Sequence, residues 1–422
     1  MSTPSRDDNP FPGTAVFDLT QNLDTTPSFK QMMNDVVDFG SCCECGTCVL
    51  VCPHNVIEYI DSKPKQVAKK NGAFDYCGIS EGIGCDVCAQ VCPRLNPREF
   101  ELHQRVFAGQ KGPLYRGGFG YYQEIYAARA KDPRILENCQ DGGVVTAMLI
   151  YGLEKGLLDG AVVSAPDPER ACSPKPVCET TVEGVLAAAG SWYTYCPNDL
   201  ALAEAAEKGC EKVAFVGVPC QITPVRKGEL KDPAFLANDH PLKKPKHVER
   251  QLKSLKDPIE RVALRIGLLC SEVFDFEGLM ERKIQGEMGI ALTDIKKFNV
   301  KGEVLIYRRD GELVKLNLKE AQEHARPECH HCGDFSAEVA DVSCGGVGAM
   351  EWTITITRTD AGKAFMDRMI ADGLLEVRPI EEFENSLKVL LRLARRQHQR
   401  VPPGKDGMPA VRPPWYRPPP EA

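Results

Sequence analysis

Cysteine dominates the chemistry open to this chain, which holds nineteen of them in 422 residues. Two runs carry metal-ligand spacing: Cys42-x2-Cys45-x2-Cys48-x3-Cys52-Pro53, and Cys85-x2-Cys88-x3-Cys92-Pro93. A cubane iron–sulfur cluster needs four thiolates around one small volume. A tight C-x2-C-x2-C turn offers three, and the cysteine before proline in the other run offers the fourth. On that rule Cys42, Cys45, Cys48 and Cys92 hold one [4Fe-4S] cluster, and Cys52, Cys85 and Cys88 belong to a second. The second run has Gly82 where the repeat calls for cysteine. Its nearest upstream thiol is Cys77, eight residues before Cys85. A loop through Gly78, Gly82 and Gly84 would bring Cys77 back as the fourth ligand. Without it the site has three thiolates and suits a three-iron form. Cys43 is out of register and is left spare. Zinc sites also use C-x2-C pairs, but three cysteines at two-residue steps, then Cys-Pro, then a partial copy, favour iron and sulfide.

Four more cysteines stand out by position. Cys220 and Cys270 each follow an apolar run with strand character, Val213–Val218 and Arg265–Leu269. If those strands lie parallel, their carboxyl ends share one edge, where open α/β sheets build sites. Cys329-x2-Cys332 adds a compact pair. Spacing alone leaves three readings open: a third cluster, a zinc site, or separate buried thiols. His330 and His331 read as surface neighbours of the pair.

Electrons carried singly by clusters must meet an organic cofactor if they are to be exchanged with a hydride donor, and a flavin bridges the two regimes. Asp141-Gly142-Gly143-Val144-Val145-Thr146 places a glycine pair at a helix start, where backbone N–H groups and the positive helix end suit a pyrophosphate. Glycine pairs also begin ordinary helices. There is no G-x-G-x-x-G fingerprint and no P-loop, so a Rossmann half-site is not supported.

The elements that must position these residues follow from texture. Residues 1–35 read as a polar arm, 36–100 as the cysteine-dense module and 101–123 as a glycine-containing linker. From 124 to 398 the pattern is α/β. It has strands at Ile125–Ala130, Ala161–Ala165, Lys212–Val218, Val262–Leu269 and Thr353–Thr357, and a hairpin across Asp310-Gly311. Helices are expected at Val144–Leu158, Val182–Ala189, Asp199–Lys208, Phe276–Gln285, Asp360–Ala371 and Glu381–Arg396. Residues 399–422 read as a Pro-rich tail. The fold class is α/β: a bacterial-type 2[4Fe-4S] ferredoxin module followed by a mixed α/β flavin-binding body. A net charge of −7 gives no reason to expect nucleic acid or an anionic membrane as partner. No run of about 18 apolar residues suggests a membrane span. The first residues lack the apolar core of a secretory signal, so a cytoplasmic protein is expected, where clustered cysteines mean metal rather than disulfides.

The runs CQDGGVVTAMLIYGLEKGLLDGAVV, CSPKPV, YCPND, VGVPCQI, IGLLCSEVF, CHHCGDFSAEVADVSCGGVG and RTDAG keep one order. They resemble the β subunit of coenzyme F420-reducing hydrogenase and its relatives, which include the F420H2 dehydrogenase input subunit and 7-hydroxymethyl chlorophyll a reductase. The likeness runs from about Ile125 to Ser386, and the cysteine module looks most like the F420H2 dehydrogenase version. The resemblance implies FAD and a body [4Fe-4S] cluster on Cys220, Cys270, Cys329 and Cys332, three clusters in all, with coenzyme F420 as substrate. For the flavin it points to Gly142, Gly143, Val144, Val145, Thr146, Tyr195, Asn198, Gly217 and Pro219. It makes Lys175 a candidate for a phosphate or the acidic deazaflavin tail, though Lys175 also reads as a solvated surface lysine. Asp341 would fix a turn near the site, and Cys344 is not taken as a ligand.

The expected function is hydride exchange between coenzyme F420 and FAD, with single electrons relayed through the clusters to or from a partner. That partner would be a hydrogenase, dehydrogenase or respiratory-complex component. No acid–base residue is named. The alternatives are a ferredoxin-dependent FAD reductase of another organic substrate and a non-catalytic electron-transfer subunit.

Overall fold

The computed structural model describes residues 28–67, 76–95, 99–110, 114–116, 119–230 and 241–400. Most of the expected arm, the tail from 401 onward and parts of the linker lie outside the described residues.

Short runs between glycines and cysteines cannot make long elements, and the module has none. Its pieces are α1 (Thr47–Leu50), the hairpin β1 (Ile57–Ile60) and β2 (Lys63–Gln66), α2 (Gly78–Ile83), α3 (Val87–Val91) and α4 (Glu99–Phe107). Asp61 and Ser62, both at positive φ, form the two-residue turn between β1 and β2, the geometry that matches strand twist. The linker contributes β3 (Leu114–Arg116), paired with β4 (Gly120–Tyr122).

The body follows as β5 (Glu124–Ala130), α5 (Val144–Glu154), β6 (Gly160–Pro166), β7 (Pro174–Glu179), α6 (Ala201–Glu207), β8 (Val213–Gly217), α7 (Pro219–Glu229), α8 (Pro245–Ile259) and β9 (Val262–Leu268). A small antiparallel sheet of β10 (Ile295–Val300), β11 (Glu303–Arg308) and β12 (Leu313–Asn317) comes next. Then come β13 (Val342–Gly345), β14 (Thr353–Thr357), α9 (Asp360–Ala371), β15 (Leu375–Pro379) and α10 (Glu384–His398).

Eight strands form the main sheet in the order β15-β5-β14-β13-β9-β8-β6-β7. β6, β8, β9 and β13 run parallel, with Ala214 opposite Leu264 and Val342 opposite Ile266. The outer strands pair antiparallel. Every residue of β8 and of β14 is buried, as strands covered on both faces require. α5 is apolar on nearly every side, and eight of its residues are buried. It packs between the sheet and α9, with Tyr151 edge-on to Phe365. The expected helix to Leu158 ends at Glu154, and Gly156 at positive φ turns the chain toward β6. α10 buries Ser386, Leu390, Ala394 and Gln397, one face of an amphipathic helix.

The module is not tethered by the linker alone. Val51, Val87, Val91, Leu102 and Phe107 share one hydrophobic core with Val162, Leu202, Phe215, Ile222, Leu255 and Ile259 of the body. Arg358, fully buried, pins the linker. Its guanidinium donates to the carbonyls of Phe119 and Tyr121, each at 2.7 Å, and to Ser336 O and Ser343 Oγ. Among the described residues no helix is long and apolar enough to cross a membrane.

Candidate metal centres

Cys42, Cys45 and Cys48 run from the loop before α1 into that helix, and Cys92 caps the end of α3. Glu44 and Gly46 sit at φ 65° and 83°, giving the tight turn that two-residue spacing needs. Gly46 is required on a second count: an added Cβ would stand 2.6 Å from the Leu200 side chain of the body. All four thiols are at most 9% exposed. Burial pushes Cys42 up to about 12, with the charges of Cys43 and Cys92 adding to it. Burial, then Cys42 and Cys92, likewise push Cys48 up. Thiols that oppose one another's ionisation share a dry pocket, and only a cation between them lets all four become thiolates.

The second group is Cys52, Cys77, Cys85 and Cys88, all buried. Cys77 precedes α2 as its N-cap, and Gly84 ends that helix in the left-handed conformation. The return from Cys77 to Cys85 is thus a short helix rather than the open loop expected. Gly82 lies on its open side, where an added Cβ would meet nothing within 4 Å. Burial raises Cys77, and the charge of Cys52 adds to it. Burial pushes Cys88 up, followed by Cys85, Cys48, Cys52 and Cys77. Cys77 shares one buried cluster with Cys52 and Cys88.

In the body, Cys220 enters α7 directly after β8, and Cys270 follows β9 by two residues. The parallel register puts both at one edge of the sheet. Cys329 and Cys332 come from a single 3-10 turn, Pro327–His331, and the residue after it. These four thiols line one cavity, whose empty space, including solvent at its mouth, is about 360 Å³. Backbone N–H of Val273 donates to Cys329 Sγ at 3.5 Å. Burial drives Cys270 up, then Cys329 and Cys332. Among the described residues no three His, Cys, Asp or Glu side chains are close enough to hold a single ion. The groups are neighbouring thiols around shared space, not closed ion cages.

The same cavity is lined by Cys43 and Arg94 of the module, two residues that spacing alone did not mark. Cys43, left spare above, is 4% exposed, and its Sγ lies 4.0 Å from Cys220 O. Hydrogen bonds from the thiols of Cys220 and Cys45 hold its pKa well below the usual range despite burial. Arg94 donates to His331 O and, at 3.4 Å, to Glu328 O, the turn that carries the cysteine pair. Burial disfavours its charge, but Cys332, Cys43, Cys220 and Cys329 outweigh that and raise its pKa. Beside the cavity Arg326 pairs with Glu44 at 2.5 Å and stacks 4.2 Å from the Tyr195 ring. Further bonds close the seam: Thr47 Oγ1 to Asp199 Oδ1 at 2.5 Å, Lys227 Nζ to Cys92 O at 2.6 Å, and Ser254 Oγ to Val51 O at 2.6 Å.

The residues considered for a flavin divide among several places. Val144, Val145 and Thr146 form the first turn of α5, which no side chain caps. Lys301 pairs with Asp141 at 2.7 Å there, and Lys297 Nζ reaches Cys139 O at 3.5 Å, so the small sheet brings two cations to that helix start. An uncapped, positive helix end fits an anionic group. Gly142 has a packing reason as well, since an added Cβ would stand 2.4 Å from Ala128 O. Tyr195 and Pro219 line the four-cysteine cavity instead. Asn198 is buried and used by the fold, accepting from Ser164 Oγ and donating to Val216 O. Gly217 ends β8, and Lys175 is exposed on the edge strand β7. Asp341 is a buried hub: it accepts from Arg226, from Arg265 N and from Thr359 Oγ1, joining α7, β9, β13 and α9. Cys344 is buried within β13 and apart from the quartet.

Residues 125–203 match the family described as coenzyme F420 hydrogenase/dehydrogenase, beta subunit N-term, and residues 210–383 match its C terminus. Residues 35–58 match a 4Fe-4S binding domain. The coenzyme F420 hydrogenase subunit beta of Methanococcus voltae is 35% identical over 67% of this chain and 93% of its own. In Methanosarcina mazei, a subunit of the F(420)H(2) dehydrogenase is 29% identical over 81% of this chain and 85% of its own. A solved structure of the F420-reducing [NiFe] hydrogenase complex from Methanosarcina barkeri contains a chain 32% identical to this one. The two superpose with a TM-score of 0.59 over 67% of this chain and 91% of that one.

Proposed function

The chain belongs to the family of coenzyme F420 hydrogenase/dehydrogenase beta subunits and carries a 4Fe-4S binding domain, and on that premise we propose that it is an electron-input subunit acting on coenzyme F420. It exchanges a hydride with the deazaflavin and passes electrons singly to or from a partner protein. FAD, when bound, supplies the conversion between hydride and single electrons, and [4Fe-4S] clusters supply one-electron carriage.

The chain's own residues do the rest. Cys42, Cys45, Cys48 and Cys92 would hold one cluster, Cys52, Cys77, Cys85 and Cys88 a second, and Cys220, Cys270, Cys329 and Cys332 a third. The α5 start, with Lys297 and Lys301 beside it, would take an anionic group of the flavin or the substrate. The seam through Thr47, Lys227 and Ser254 holds module and body at fixed separation. The relatives named as hydrogenase and dehydrogenase subunits support a partner complex for this chain as well.

One observation carries the reading: the body's four thiols line a cavity that the module's Cys43 and Arg94 also line. A redox protein with separate duties in two domains has no need for such a joint. The test offers the iron- and flavin-loaded chain F420H2, NADH, NADPH and reduced ferredoxin in turn, with an artificial acceptor. Turnover with F420H2 is expected. Reduction by ferredoxin alone would point instead to a reductase of another organic substrate, and reduction by none of the four to a subunit that contacts only a partner's cofactor.

A further inference from the structure

Arg94 belongs to the module by sequence, two residues after Cys92, yet its side chain reaches the body's cavity. Its two terminal nitrogens are spent on His331 O and Glu328 O, both on the turn that presents Cys329 and Cys332. Its Nε is buried and has no hydrogen-bond partner among the described residues. The neighbouring cations differ in one respect. Arg326 pairs with Glu44 and Glu328, and Arg400 lies 3.6 Å from Glu272. Among the described residues Arg94 forms no ion pair. It brings a permanently ionised guanidinium without a carboxylate partner to a cavity lined by the four body thiols and Cys43.

We propose that Arg94 is the counter-charge of the body quartet: a positioning residue, lent by the module, that holds the body cluster's reduction potential up. The proposal rests on the reading that Cys220, Cys270, Cys329 and Cys332 hold a [4Fe-4S] cluster. One-electron reduction adds a negative charge to a cluster already made anionic by four thiolates. A fixed cation stabilises the reduced state more than the oxidised one, and a water-poor site weakens the screening of that difference. The buried Nε–H is suited to a sulfur acceptor of the cluster, and hydrogen bonds to cluster sulfur act in the same direction. The body's potential is therefore set by where the module sits, which couples docking of one region to the redox chemistry of the other.

The test is an EPR-monitored potential titration of the full chain, loaded with iron and sulfide, as wild type, Arg94→Gln, Arg94→Met and Arg94→Lys. The body cluster is identified as the signal missing from Cys329→Ser. Either neutral variant should shift that signal's midpoint downward with the module signals unmoved, and Arg94→Lys should restore most of the shift. Either neutral variant that keeps its iron is enough for the comparison. If both lose the body cluster, the midpoint of Arg94→Lys decides: a value near wild type supports the charge, and a marked fall overturns it. A body signal whose midpoint is the same in wild type and a neutral variant overturns the assignment of Arg94 alone. A wild type with no Cys329-dependent signal overturns the cluster reading beneath it.

Discussion

In the core of the N-terminal module, to which the end of the arm adds Phe29, Met32 and Met33, six of the thirteen buried residues are cysteines: Cys42, Cys48, Cys52, Cys77, Cys88 and Cys92. In the body, none of Cys220, Cys270, Cys329 and Cys332 belongs to the main core, which is built on Met148, Ile150, Ile266 and Met366. If both sets of thiols hold clusters as proposed, the difference separates two uses of metal. In the module, thiol ligands occupy places that apolar side chains fill in a larger domain, so metal binding is a part of folding. In the body, a sheet with its own core presents a finished edge, and on the proposed reading metal there would be bound by a scaffold that stands without it.

Removing iron with a chelator is the strongest way to break that comparison. Hydrogen exchange should show α1 and α3 losing protection while β8 and β14 keep theirs. Uniform loss in both regions would mean that the body also folds around metal. A second test concerns the core the two regions share. Ile222 is fully buried between them, and Ile222→Ala should cost about 2–5 kcal/mol, lowering one common melting transition of the iron-loaded chain. Two separate transitions, with only one displaced, would argue that the shared core couples nothing.

A smaller effect follows from His103 on α4, whose Nε2 lies 3.6 Å from Glu338 Oε2 of the body. Burial pushes His103 down to about 4, against the pull of the Glu338 charge. The unfolded chain therefore binds the proton more readily between about pH 6.5 and 4. Stability from this group is complete above the unfolded value and is lost as pH falls through that window, by a few kcal/mol at most. His103→Gln should flatten the acid side of the stability curve between those limits. An unchanged slope would place the acid sensitivity in other groups.

The same contrast explains what could be read from the chain. The module's candidate ligands lie within one short stretch, so spacing marks them, and Cys77 stands out as the available thiol upstream of Cys85. For the body, Cys220 and Cys270 were visible because buried strands end just before them, and a parallel sheet aligns those ends. Cys43 and Arg94 gave no such sign. Each sits next to or two residues from a candidate ligand in sequence, but its neighbours at the cavity are far along the chain, as in the contact from Cys43 to Cys220. Only the docking of module on body makes them part of a site. The doubled Cys42-Cys43 was the available hint. Pattern also passed over β7, α7, α8, β10, β13 and β15. β13 is four residues of mixed character, Val342–Gly345, and is a strand because β9 and β14 flank it. The glycine pair at α5 carried two meanings at once. Its packing against Ala128 is enough to require Gly142, whatever the helix start binds.

The central claim is that three sets of four thiols, two local and one assembled by the sheet, each hold a cluster. Iron and labile sulfide counted per chain, for anaerobically loaded wild type and Cys329→Ser, test it most directly. The account predicts about twelve of each in the wild type and about eight in the variant, with the module's signals retained. Equal counts in the two proteins would contradict it.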